Sequence, residues 1–172
     1  MTINKKLPSF EGCSIAIIGM GYVGLPLAEK INKTDNCHKT NRTLNRRIFG
    51  FDLNEKRIEQ LKKGIDKNNI VPKKDFNIKK KIQFTSDKKL LLDIDIYIIT
   101  VPTPLKEFNK PDLSFIEKAS ILVGDLLKQS RNKDNQIIIF ESTVYPGATE
   151  EICIPLIEKY SNKKYNSDKY EN

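Results

Sequence analysis

Histidine occurs once in this chain, as His38, and cysteine three times, as Cys13, Cys37 and Cys153. An odd number of widely spaced cysteines with one histidine argues against a disulfide framework and against a structural zinc site, so no metal is expected. Cys13 at a strand start and Cys153 in a helix read as small core residues. Long apolar runs are missing too. The longest, Ile15 to Ala28, is too short to span a bilayer and is broken by glycines. No small-residue cleavage site stands in a signal-peptide setting, and the expected location is the cytoplasm. The net charge is +8, with 30 Lys and Arg against 22 Asp and Glu. Those lysines are scattered, densest from Lys73 to Lys89, and lack the interleaved aromatics that would stack bases. They read as a solvated face that helps attract an anionic nucleotide, and nucleic acid is not expected as a partner.

What remains is the composition of a globular protein. A chain of 172 residues fits one domain, and one of that size buries about 70% of the surface its unfolded form exposes. After a polar arm, residues 1–11, strand-like and helix-like segments alternate through residues 12–160, which predicts an α/β fold with a parallel sheet covered on both faces. Residues 161–172 read as a polar tail. The first helix is expected from Tyr22 to Asn32. A second starts at Asn54 as N-cap, with Leu53 able to staple onto Ile58 and Gly64 as its stop. Strands follow at Ile82 to Thr85, Ile94 to Val101 and Gln136 to Glu141, with a helical turn over Ser86 to Leu92. Asp112 is expected to cap a long helix whose Phe115, Ile116, Ala119, Leu122, Val123, Leu126 and Leu127 recur at helical spacing. A last helix spans Thr149 to Tyr160, with a kink expected at Pro155.

The informative stretch is Gly19-Met-Gly21-Tyr-Val-Gly24, directly after the apolar run Ser14 to Ile18. In a strand-turn-helix setting the first glycine permits the tight turn, the second lets backbone approach a pyrophosphate, and the third lets the helix pack close to the sheet. The unpaired amides at the helix start would hold the phosphates. Asp52 closes the next apolar run, Arg47 to Phe51, where a carboxylate accepts both hydroxyls of an adenosine ribose and repels a 2′-phosphate. This is a Rossmann-type, doubly wound reading with NAD favoured over NADP. Asp52 lies further on than the usual spacing of about 20 residues; the polar stretch Thr34 to Arg46 accounts for the excess as a surface insertion.

Ligands of such sheets bind beyond the carboxyl ends of the strands. The Val101-Pro-Thr103-Pro and Glu141-Ser-Thr143 loops belong there with the glycine turn. Thr103 and Thr143 each offer a hydroxyl and an amide where a nicotinamide would lie, or else cap the next element; spacing leaves both readings open.

Together, residues 17–28, 50–58, Thr-Val-Pro-Thr-Pro (100–104), Lys-Pro-Asp-Leu (110–113) and Glu-Ser-Thr-Val-Tyr-Pro-Gly-Ala-Thr-Glu-Glu (141–151) resemble the UDP-glucose/GDP-mannose dehydrogenase family, in its NAD-binding domain. Val-Tyr-Pro-Gly is most similar to the UDP-N-acetylhexosamine (GlcNAc or GalNAc) 6-dehydrogenases. The resemblance implies oxidation of a sugar C6 alcohol to a carboxylate with two NAD, through an aldehyde and a cysteine-bound thioester. It implies NAD contacts at Gly19, Gly21, Tyr22, Val23, Gly24, Asp52, Arg57, Thr103 and Thr143, with Thr143 also helping to order catalytic water and hydroxyl groups. Parts bearing the nucleophilic cysteine, the oxyanion-stabilising lysine and asparagine, and the UDP-sugar pocket have no counterpart in these residues. None of the three cysteines stands in a matching context, and in the stretch Gly-Ile-Asp-Lys-Asn-Asn-Ile (64–70) the family often has a further acid that is absent here. The expectation is a cofactor domain that binds without catalysing and meets a UDP-sugar only together with those parts. The alternative is a free-standing NAD-binding regulatory or subunit module that associates with a complementary or full-length dehydrogenase chain. Dehydrogenases of the 3-hydroxyacid or 6-phosphogluconate type share the glycine turn, but Val-Pro-Thr-Pro and Ser-Thr-Val-Tyr-Pro-Gly argue against them.

Overall fold

The computed structural model describes residues 7–71, 82–106, 110–131 and 136–164. Much of the lysine-dense run, most of the arm and the tail beyond residue 164 lie outside the described residues.

Five strands form one parallel sheet: β1 (Ser14–Ile18), β2 (Arg47–Phe51), β3 (Ile82–Thr85), β4 (Ile96–Ile99) and β5 (Ile137–Phe140), in the order β3-β2-β1-β4-β5. Helices α1 (Gly24–Lys33), α2 (Glu55–Lys62) and α3 (Ser114–Gln129) lie in crossovers, a short 3-10 turn over Lys88–Leu91 stands between β3 and β4, and α4 (Ile154–Ser161) follows β5; the helices cover both faces. The near-continuous apolar strands fit a sheet buried on two sides. Alternate residues serve opposite layers: Ala16, Ile18, Phe49, Phe51, Tyr97 and Ile99 pack with α3 and α4, whereas Ile15, Ile17, Ile48, Ile96 and Ile98 pack with α1 and α2. Among the described residues no helix is long and apolar enough to cross a membrane.

The register aligns the strand ends. Ile18 pairs with both Phe51 and Ile99, Phe51 with Thr85, and Ile99 with Phe140, so the five carboxyl ends share one edge. The chain winds to one side of β1 through β2 and β3, then crosses to β4 on the other side. The switch point falls beside β1, where doubly wound sheets open their ligand crevice. At the opposite edge, one Asp95 oxygen accepts both the amide and the hydroxyl of Ser14, each at 2.8 Å.

Several local expectations change. Helix α1 begins at Gly24, because Tyr22 and Val23 complete the turn before it. Leu53 does not staple onto Ile58: it is 75% exposed, while Ile58 is buried. The Asp52 carboxylate accepts the Asn54 amide at 2.9 Å, and this tight turn leaves Leu53 outward. Asn54 does cap α2, accepting the Arg57 amide at 3.1 Å, and the chain leaves α2 through Gly64 at φ +72°. Phe115 lies on the exposed side of α3, whose buried stripe is Ile116, Ala119, Val123, Leu126 and Leu127. A π turn over Thr149–Cys153 runs directly into α4 and puts Pro155 in the first turn of that helix, where proline is best tolerated. The 34–46 insertion is a small antiparallel loop joined at Asn36 and Thr43. Cys13 and Cys153 are buried as expected.

Candidate cofactor site

The turn after β1 shows what each glycine permits. Gly19 has φ +104°, a conformation that L side chains rarely adopt, and its amide donates to the Phe51 carbonyl at 2.8 Å. Gly24 opens α1 so close to this turn that a Cβ placed on it would stand 1.9 Å from the Gly19 carbonyl oxygen. A Cβ on Gly21 would meet nothing within 4 Å. The middle glycine therefore faces open space at the head of α1, where the Leu25 amide already donates to the Gly21 carbonyl at 3.1 Å and Pro26 has no amide to offer, so the donors left for a ligand are those of the turn itself. Tyr22 is 71% exposed on the rim, and the Val23 carbonyl accepts the Leu27 amide at 3.1 Å.

Asp52 follows β2 and reaches back to the turn. Its Oδ2 accepts the Met20 amide at 2.8 Å while Oδ1 accepts the Asn54 amide at 2.9 Å. Each oxygen thus keeps acceptor capacity for a ribose hydroxyl, and the carboxylate is fixed in orientation before any ligand arrives. Arg57, one turn into α2, is buried, and its Nε donates to the Met20 carbonyl at 3.1 Å. Asp52 and Arg57 therefore grip the two sides of one residue, the one between the first two glycines.

Across the switch point, the loops after β4 and β5 are tied to each other. The Thr103 hydroxyl donates to the Thr143 carbonyl at 2.6 Å, and the Ser142 hydroxyl donates to the Val101 carbonyl at 2.7 Å. Thr103 and Thr143 come together as expected, but the Thr103 hydroxyl acts as a clip between loops and not as a helix cap. The N-cap position of α3 falls on Leu113, one residue after the expected Asp112, which supports the helix start from just outside it as its Oδ1 accepts the Ser114 amide at 3.0 Å. The Lys106 ammonium, then the Ser114 amide and hydroxyl, hold the Asp112 carboxyl down to about 2. The Thr143 side chain stays exposed at the mouth.

Two positioning residues escape a reading of the sequence. Thr100 sits beneath the glycine turn with its hydroxyl 3.0 Å from the Ile18 carbonyl and 2.8 Å from the Gly19 carbonyl. Asp66 pairs with Arg57 at 2.7 Å, with both side chains buried. Burial pushes the Asp66 carboxyl up, but the Val71 amide, the Arg57 guanidinium and the Ile70 amide together hold it below its ordinary value. The Thr-Val-Pro run was the only signal near the first, and nothing in spacing marks the second.

A parallel sheet of order β3-β2-β1-β4-β5, a glycine turn at its switch point and an acid ending β2 define a dinucleotide-binding domain of the dehydrogenase kind. The comparisons with known proteins agree. The pattern described as "UDP-glucose/GDP-mannose dehydrogenase family, NAD binding domain" matches residues 13–171, and the chain belongs to that family as its NAD-binding domain. It is 41% identical over 156 residues to UDP-N-acetyl-D-glucosamine 6-dehydrogenase of Salmonella typhi, covering 91% of this chain and 33% of the relative. Its identity to the enzyme of the same name from Pseudomonas aeruginosa is 40% over 154 residues, covering 90% of this chain and 33% of that one. Among solved structures, a ternary complex of GDP-mannose dehydrogenase from Pseudomonas aeruginosa matches with a TM-score of 0.73 and 27% identity, over 87% of this chain and 33% of that one. The chain spans about a third of the length of these relatives.

Proposed function

We propose that this chain is the cofactor-binding part of a UDP-N-acetylhexosamine 6-dehydrogenase, an enzyme that oxidises the C6 alcohol of a nucleotide sugar to a carboxylate for polysaccharide precursors. The observation that carries this reading is the pair of sites on either side of Met20, the open face at Gly21 and the fixed Asp52 carboxylate, in a chain about 40% identical to two such enzymes. NAD, when bound, accepts hydride. The chain's own residues do the holding. The backbone amides of the turn from Gly21 through Val23 that leads into α1 receive the pyrophosphate; Asp52 accepts the adenosine ribose hydroxyls, bordered by Tyr22, Val23 and Arg57. Gly19 and Gly24 shape the turn. Thr103 fixes the loop after β5 to the loop after β4, and Thr143 presents its hydroxyl where the nicotinamide and the sugar would meet.

A carboxylate facing the ribose rejects a 2′-phosphate by charge and by shape, so NAD binds more tightly than NADP. Asp52→Ala is expected to weaken NAD binding and to narrow its advantage over NADP by about tenfold, read by calorimetric titration of both cofactors. An unchanged ratio removes Asp52 from the ribose site.

Oxidation to the acid also needs a nucleophile for the aldehyde and a preorganised oxyanion site. Burial raises the Cys13 and Cys153 thiols above their usual values, which disfavours the reactive thiolate. Hydrogen bonds from Thr40 lower the Cys37 thiol, yet Cys37 lies in the 34–46 loop between α1 and β2, at the edge of the sheet away from Thr103 and Thr143. The purified 172-residue polypeptide is therefore expected to form no NADH from UDP-N-acetylglucosamine, followed by absorbance. Steady NADH formation by this polypeptide alone would overturn the reading. A polypeptide supplying the cysteine should restore turnover, and Thr143→Ala should then reduce it.

A further inference from the structure

Arg57 is only 7% exposed, and its nitrogens have unequal partners. Nε donates to the Met20 carbonyl, Nη1 donates to Asp66 Oδ1 at 2.7 Å, and Nη2 is buried with no partner. The second Asp66 oxygen accepts the amides of Ile70 and Val71 at 2.6 and 2.9 Å, so the acid is anchored from the loop after α2. The Met20 amide in turn donates to Asp52. A guanidinium with a spare donor and the carboxylate assigned to the adenosine ribose thus hold the two ends of one residue, Met20. Such a guanidinium, left to itself, would accommodate a 2′-phosphate and offset the repulsion from Asp52.

We propose that Asp66 is a positioning residue for cofactor selectivity: it holds Arg57 against the Met20 carbonyl and cancels its charge, so that Asp52 alone sets the charge of the ribose corner. The inference rests on the cofactor-site reading above. With Asp52, Arg57 and Asp66 ionised the corner carries one net negative charge; with Asp66 neutral it carries none. Arg57 would otherwise read as a simple cofactor contact. Its burial and its bond to Asp66 make it a held cation whose reach depends on a residue outside the fingerprint.

The test is calorimetric titration of the 172-residue chain with NAD and with NADP. In Asp66→Asn, the affinity for NADP relative to NAD is expected to rise about tenfold, because one nearby charge has been removed. A merely structural lesion weakens both cofactors alike and leaves that ratio where it was. The double variant Arg57→Met with Asp66→Asn removes both charges without stranding either in the interior; because Arg57 borders the ribose it is expected to weaken both cofactors, while the ratio between them returns to that of the unmodified chain. An unchanged ratio in Asp66→Asn overturns the proposal, and so does a shift of the same size in the double variant. Should Asp66→Asn fail to fold, the double variant carries the test: a ratio within about twofold of the unmodified chain supports charge cancellation, and a change of about tenfold overturns it. An unmodified chain that binds neither cofactor sinks the site itself, a result distinct from NAD binding with a ratio indifferent to Asp66.

Discussion

Gly24→Ala is expected to destabilise the chain by about 3 kcal/mol or more, at the upper end of what overpacking costs. Its added Cβ would stand 1.9 Å from the Gly19 carbonyl oxygen and 2.5 Å from the Thr100 hydroxyl oxygen. The nearest obstacle is backbone and cannot rotate away. Relief would require α1 to move off the sheet or the turn to move off Thr100, whose hydroxyl is within bonding distance of the same Gly19 carbonyl. Helix propensity points the other way, since alanine is better than glycine by about 1 kcal/mol in a helix interior. The two effects have opposite signs, and the clash is the larger. Urea unfolding of the variant checks it: a midpoint equal to or above that of the unmodified chain would show that the turn and α1 are further apart than described.

Gly21→Val, three residues earlier, is expected to do the reverse. The fold should survive with a change of less than about 1 kcal/mol, within the ordinary range for a site without close neighbours, because a Cβ there touches nothing within 4 Å. NAD affinity should fall at least about a hundredfold, the equivalent of roughly 2.7 kcal/mol. A branched side chain fills the space where backbone must approach the pyrophosphate. Circular dichroism and titration separate the two effects. A native spectrum with undiminished NAD binding would take the glycine turn out of the site.

The contrast between these neighbouring glycines bears on what the sequence can disclose. Gly19, Gly24 and Asp52 were legible because each answers a local demand: a turn with positive φ, a close approach, a strand end. The alternation of strands and helices was legible for the same reason, although strand limits were not. Ile94 is buried as the apolar run suggests, yet β4 starts only at Ile96, since apolarity reports burial and not ladder pairing. Leu53 misled because the turn made by Asp52 and Asn54 overrides a hydrophobic pattern. The Thr103 clip to Thr143 joins residues 40 apart and depends on the strand order, which no local pattern encodes. Asp66 was hidden in the same way. Its partner Arg57 is nine residues away, across the end of a helix, at no repeating interval.

The central claim is that these residues form an NAD site selective against NADP, and the most direct measurement is calorimetric titration of the unmodified 172-residue chain with each cofactor. The account predicts saturable binding of one NAD per chain, with NADP distinctly weaker. A folded chain that takes up no NAD, or that binds NADP equally well, would contradict it.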